Sequence, residues 1–115
     1  MKTNLGPDWC PTGEYSFERQ LKAYTVEVKL LGVPKPTMES WGWIIRRKRR
    51  DEDILLQLSP PDFHSFSPDA FRSAEAAAKS GLAYLYGYLE TCRLESEKLQ
   101  QAIRDELLRR LYAPK

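Results

Sequence analysis

The residues best suited to chemistry form one run of cations inside a segment that alternates like a β-strand. They are Arg46, Arg47, Lys48, Arg49 and Arg50. Cations on a β-hairpin can follow a nucleic-acid backbone, and Trp41 and Trp43 can stack on bases if they face solvent. Acidic residues 51–53 follow at once and are expected across the hairpin, where opposite charges pair. The run therefore predicts either a solvated hairpin tip, which we favour, or a nucleic-acid interface.

No other residues have the types and spacing of a catalytic, cofactor or metal site. His64 is the only histidine. Asp62 and Asp69 lie near it, but the members of a catalytic triad usually converge from distant segments. Cys10 and Cys92 lack the short ligand spacing of a zinc site. We therefore expect a protein that is not an enzyme and that binds no cofactor or metal.

Length and composition indicate a small globular domain. The chain has 115 residues, of which 42% are hydrophobic and 30% are charged, and its net charge is +2. No apolar run approaches the roughly 20 residues of a spanning helix, and the N-terminus lacks the apolar core of a signal peptide. Two cysteines are too few for a disulfide framework. We expect both to be reduced in a cytoplasmic protein that has no membrane partner.

The most strongly patterned stretch is residues 71–92, which read as an amphipathic helix. Its apolar positions recur at steps of three and four. They are Phe71, Ala74, Ala78, Gly81, Leu82, Leu85, Leu89 and Cys92. Ser73 is the preferred N-cap, and Ser67 with Pro68 at the first helical position is the alternative. The small residues at the start of this stripe predict close packing on a sheet.

Three segments before this helix alternate like strands, at residues 22–31, 39–49 and 54–58. A wide loop is expected after the first strand, because residues 32–37 contain glycine and two prolines. The side chains expected to face the helix from the second and third strands are Trp41, Trp43, Ile45, Ile54, Leu56 and Leu58. The sequence therefore predicts an α+β fold, a three-stranded antiparallel meander packed on one long helix (βββα) with a C-terminal helical extension.

The predicted domain organisation has three parts. Residues 1–17 form an irregular lead-in, in which Trp9 packs back on the fold. Residues 18–92 form the βββα domain, and residues 93–115 form the helical extension. Residues 14–21 are expected to contain a short helical turn.

The helical composition continues after Thr91, so the main helix either runs on to about Leu111 or breaks near Thr91. Apolar residues without an obvious cover follow two sides of this region. They are Tyr84, Tyr88, Leu99, Ile103, Leu107 and Leu111. Such a surface needs a second cover, which is either the folded-back C-terminal segment, the N-terminal segment with Trp9 or another subunit. We therefore expect a binding module that forms a homodimer through its C-terminal helix, with nucleic-acid binding through the cationic run as the alternative.

The predicted βββα order, with its basic hairpin and its alanine-rich closing helix, resembles the topology of double-stranded RNA-binding domains. Those domains normally open with a helix before the first strand. They also carry a lysine cluster at the start of the last helix, where this chain has Arg72 and, further on, Lys79. The resemblance is one of topology alone, and no binding residue is assigned from it.

Overall fold

The computed structural model of the protein describes residues 5–112 and has five strands followed by one helix. The elements are β1 (Cys10–Gly13), β2 (Ser16–Leu21), β3 (Tyr24–Lys35), β4 (Met38–Arg49), β5 (Glu52–Ser59) and α1 (Ala74–Tyr112). The strands form one antiparallel sheet in sequence order. The α+β class is therefore confirmed. Residues 1–4 of the predicted lead-in and 113–115 of the predicted extension lie outside the described residues.

The predicted count of three strands is wrong, because β1 and β2 form where an irregular lead-in and a helical turn were expected. β2 pairs with β3 along its whole length, so the backbone groups of β3 have partners on both sides. Phe17 of β2 lies opposite Val28 and is buried. Trp9 is also buried, as predicted. The burial of Phe17 and the pairing of β2 decide the conformation of this segment over any local helical tendency.

The connection between β3 and β4 is a tight turn at Pro36 and Thr37, and the expected wide loop is absent from the described chain. β3 continues through Gly32 and Pro34, with register shifts on both sides of Gly32. A proline cannot donate to the ladder, and such irregular pairing accommodates it within a strand. The hairpin is therefore longer than the proline content suggested.

The core lies on one face of β2, β3 and β4. Trp41, Trp43 and Ile45 are buried, as predicted for the second strand. The register places Phe17, Val28 and Trp43 in one row across the sheet. Directly opposed side chains on antiparallel strands share a face, so these residues form a continuous apolar layer.

The predicted facing of the third strand is wrong at Leu58, whereas Ile54 pairs with Arg47 on the predicted face. A register shift lies between Ile45 and Arg46, where β5 carries an extra residue. Leu58 consequently pairs with Ile44, on the face opposite Trp43, because a bulge reverses the alternation of side chains. Ile54 is exposed, and Leu56 is only half-buried. β5 is an edge strand in this sheet, so it contributes less to the core than its sequence ILLQL indicated.

The start of α1 is fixed by the cap that the sequence favoured. Ser73 Oγ accepts a hydrogen bond from the Ala76 N–H at 3.1 Å. A Cβ on Gly81 would lie 3.1 Å from the Trp43 ring, and the Trp43 Nε1–H donates to Ser80 Oγ at 3.1 Å. The first turns of α1 therefore pack closely on the Trp43 face. Ala77, which is not among the apolar positions of the predicted stripe, is also fully buried.

The helix α1 is continuous over 39 residues, which resolves the alternative of a break near Thr91. At about 1.5 Å per residue it is about 58 Å long. The chain divides into two compact units, of which the first ends at Ala83 and the second begins at Tyr84. The first unit holds the sheet and the start of α1, and the second holds the remainder of α1. The predicted three-part domain organisation stays a prediction.

Candidate interaction surfaces

The cationic run lies at the end of the β4–β5 hairpin, where strand alternation divides it between two faces. Arg46 lies on the face opposite Trp43, and its Nη2 is 3.4 Å from Glu27 Oε1 of the neighbouring strand. Arg47 lies on the Trp43 face, with its guanidinium carbon 5.8 Å from the centroid of the Tyr24 ring. Both side chains are therefore already engaged within the sheet.

The remaining cations of the run are exposed and lie beside acidic residues. Lys48 pairs in register with Asp53, and Arg49 pairs with Glu52. Arg50 occupies the turn itself, with a φ angle of 58°. The predicted position of the acidic residues across the hairpin is confirmed, and opposite charges in such positions partly neutralise one another.

The surroundings of the run differ from what base recognition needs. Trp41 and Trp43 are 1% and 3% exposed, so neither is available to stack on a base. Lys22 follows β2 at the same end of the sheet, where the Lys48 N–H donates to the Ala23 carbonyl at 2.7 Å. Lys35 lies at the other end of β3, beside the opposite turn.

A second surface runs along the last part of α1, where apolar side chains are exposed. We call it the apolar stripe and define it as Leu99, Ile103, Leu107 and Leu111, which are 64%, 52%, 53% and 75% exposed. Steps of four place these residues along one side of the helix. All four residues were predicted from the sequence, and all four are accessible to a partner in the described chain.

Charged residues beside the apolar stripe form pairs along the helix. Arg93 forms ion pairs with Glu90 and Glu97. Its hydrogen bond lowers the pKa of Glu90 below the usual value of 4.5. Glu106 lies 3.4 Å from Arg109 and 3.3 Å from Arg110. These pairs are exposed, so each adds little to the stability of the helix.

The two tyrosines predicted to join this surface differ from the stripe. Tyr84 is 39% exposed and Tyr88 is half-buried. Both already interact with other groups of the protein. Their part in self-association stays a prediction, and the four residues of the apolar stripe carry the argument below.

The remaining candidate residues are dispersed or locally occupied. His64 Nδ1 accepts a hydrogen bond from the Phe66 N–H at 3.1 Å, and the two rings stack. Cys10 and Cys92 are both exposed free thiols. Over residues 5–112, no group of three histidine, cysteine or carboxylate side chains is placed to hold a metal ion. Across the same residues, no helix combines the length and apolar character that crossing a membrane requires.

Sequence reasoning missed other exposed apolar residues of α1. Leu94, Leu108 and Tyr112 are 45%, 51% and 81% exposed and lie outside the apolar stripe, although Leu108 is a neighbour of Leu111 at a step of three. Leu108 follows Leu107 directly, so the turn of about 100° per residue separates the two. The four-residue spacing of Glu106 and Arg110 is visible in the sequence, and the two residues form an ion pair.

Comparison with known proteins identifies no relative. No protein-family model matches the chain, and no curated protein or solved structure is significantly similar to it.

Proposed function

We propose that this protein is an interaction module without enzymatic activity that forms a homodimer through the C-terminal part of α1. One observation carries the proposal: the four residues of the apolar stripe lie on one side of a continuous helix and are at least half exposed. A helix face with this pattern is normally covered in the state in which it acts.

The free energy gained by burying the apolar stripe favours self-association. Removing apolar surface from water contributes about 25 cal/mol per Å². Part of this gain offsets the translational and rotational freedom that two chains lose on association. Large aliphatic side chains that recur along one side of a helix are the kind of surface through which helices associate. The stripe therefore favours a helical partner, and a second copy of the chain supplies one.

The experiment compares two substitutions that add the same charge to opposite sides of the helix. Ile103 and Leu94 are 52% and 45% exposed and lie nine residues apart, on opposite sides of the helix, so aspartate at either position has a similar effect on the isolated helix. We expect Ile103→Asp to lower the dimer fraction in sedimentation equilibrium, because it places a carboxylate in the buried interface. Leu94→Asp should leave the dimer fraction unchanged. A wild-type protein that remains monomeric at tens of micromolar would remove the proposal.

The hairpin tip supports nucleic-acid binding as a second candidate function. The observation in its favour is that Lys22 lies at the same end of the sheet as Lys48, Arg49 and Arg50. Four cations at one end can contact phosphates even where no aromatic side chain is exposed beside them.

This second candidate predicts binding that falls steeply with salt. Lys48→Ala together with Arg49→Ala should weaken binding to duplex and single-stranded RNA and DNA and should reduce the salt slope. Lys35→Ala is the control, because that lysine lies at the far end of β3. Absence of binding at low salt, or equal binding by the double variant, would exclude this function.

A further inference from the structure

The second half of α1 carries its charges in an uneven order. Between Glu90 and Glu97 three glutamates accompany a single cation, Arg93, whereas from Lys98 to Arg110 the cations outnumber the two acids. Two copies that associate in opposite directions place an acidic end beside a basic end. Two copies that associate in the same direction place like ends together, which electrostatic complementarity disfavours.

We propose that two copies of α1 pair antiparallel, with Leu99 of each copy packed against Ile103 of the other. This inference rests on the proposed self-association, because it assigns a direction and a register to the first two residues of the apolar stripe. Leu99 and Ile103 are 64% and 52% exposed and lie one helical turn apart. The two-fold axis of this pair passes near Gln101, so Leu99 of either copy meets Ile103 of the other.

The charged residues at the end of the stripe distinguish the two directions. Steps of seven from Leu99 and Ile103 lead to Glu106 and Arg110, and both lie on the side that faces the partner. In a parallel pair each of them meets the same residue of the other copy, so like charges come together. In the antiparallel register Glu106 lies opposite Ser96, and Arg110 lies opposite Cys92. The antiparallel direction therefore removes both repulsive contacts.

The flanks of the stripe add an attractive contact in the same register. Antiparallel helices bring the same flank of each copy together, which places Glu95 beside Arg109 of the other copy. The two residues are about 21 Å apart along one helix, so they cannot pair within a chain. Glu95 forms no salt bridge within residues 5–112, and Arg109 is 77% exposed even though its Nη2 lies 3.4 Å from Glu106 Oε2 of the same helix. Each partner is therefore accessible for a contact between copies.

Cysteine crosslinking tests the direction. In the proposed register the two Cys92 residues are about 27 Å apart along the axis, far beyond the reach of a disulfide. In the same register residue 100 of one copy lies close to residue 100 of the other copy, on one flank of the interface. We expect Gln100→Cys, combined with Cys10→Ser and Cys92→Ser, to form several-fold more crosslinked dimer under mild oxidation than Gln101→Cys in the same background. Gln101 is the matched control because it projects away from the apolar stripe.

The outcomes separate this inference from the function on which it rests. Sedimentation of each reduced variant, with circular dichroism to confirm the helix, is measured first. A monomer would remove both the proposed self-association and its direction. A dimer in which Cys92 crosslinks to itself in a Cys10→Ser protein would overturn the antiparallel direction but keep self-association. A dimer that crosslinks at neither Cys92 nor Gln100→Cys would overturn the register.

Discussion

At the scale of single residues, the space above Gly42 in the sheet is too small for a side chain. A Cβ built on Gly42 would lie 2.8 Å from the Ser59 carbonyl oxygen and 2.9 Å from the Phe63 ring. The first of these contacts is with backbone, which cannot move aside without disturbing the pairing of β4 with β5. Gly87 of α1 has no atom within 4 Å of the same position. Gly42 is therefore needed because a side chain would clash there, whereas a Cβ at Gly87 would contact no other group.

Alanine at these two glycines should change stability in opposite directions. Gly42→Ala should lower the free energy of unfolding by about 1–3 kcal/mol, because the added methyl overpacks the site. Gly87→Ala should raise helix stability by up to about 1 kcal/mol, because alanine is the better helix former. Urea unfolding followed by tryptophan fluorescence measures the first effect, and circular dichroism at 222 nm measures the second. Equal effects at both positions would contradict the steric argument.

At the scale of elements, α1 combines a packed start with an exposed end. Its first turns are buried through alanines and Gly81 against the Trp43 face, whereas its last turns expose the apolar stripe. Helices in water obtain most of their stability from packing on an apolar face. The ion pairs of the second half, such as that between Glu90 and Arg93, are exposed and add little, so we expect this half to gain most of its stability in the proposed dimer.

The Glu90–Arg93 pair predicts a pH dependence of this half of the helix. The hydrogen bond from Arg93 lowers the pKa of Glu90 below 4.5 in the folded chain. Its contribution is therefore present above the unfolded pKa and is lost as the pH falls through the folded pKa. NMR titration of the Glu90 carboxyl carbon should give a midpoint below 4.5, and Arg93→Gln should move the midpoint back toward that value. A midpoint that Arg93→Gln leaves unchanged would contradict the assignment.

At the scale of the whole molecule, the proposed assembly joins two chains through one antiparallel helix pair. The proposed interface uses residues of the second unit and the hairpin tip belongs to the first unit, so the two candidate functions use different residues. The proposed direction of pairing uses Glu95 and Arg109, which lie too far apart along one helix to pair within a chain. A contact between two chains can be tested by exchanging the two charged residues, because the exchange keeps the net charge of each helix. A single substitution changes that net charge as well as the contact.

Exchange of Glu95 and Arg109 tests the assembly in solution. Glu95→Arg and Arg109→Glu should each weaken dimerisation, because each places like charges together across the interface. The double variant should recover the wild-type affinity, with a coupling of roughly 0.2–1 kcal/mol for each of the two pairs. Sedimentation equilibrium at low salt measures all four proteins. Failure of the double variant to recover would argue against the proposed register.

The sequence by itself determined the elements that depend on local pattern. The alternation of Trp41, Trp43 and Ile45 predicted a strand with its core face, and the Ser73 cap predicted the start of α1. The steps of four from Leu99 to Leu111 predicted the exposed stripe. In each case the period of the side chains equals the period of the backbone, so the information lies within one element.

Tertiary structure alone decided the features that depend on distant partners. β2 became a strand because β3 offers an unpaired edge and a place to bury Phe17. The bulge in the β4–β5 pairing placed Leu58 on the face opposite Trp43, against its own alternation. Ala77 is buried because the helix lies close to the sheet at Gly81. Edge pairing, register and the approach of a helix are properties of two segments at once, so no pattern within one segment specifies them.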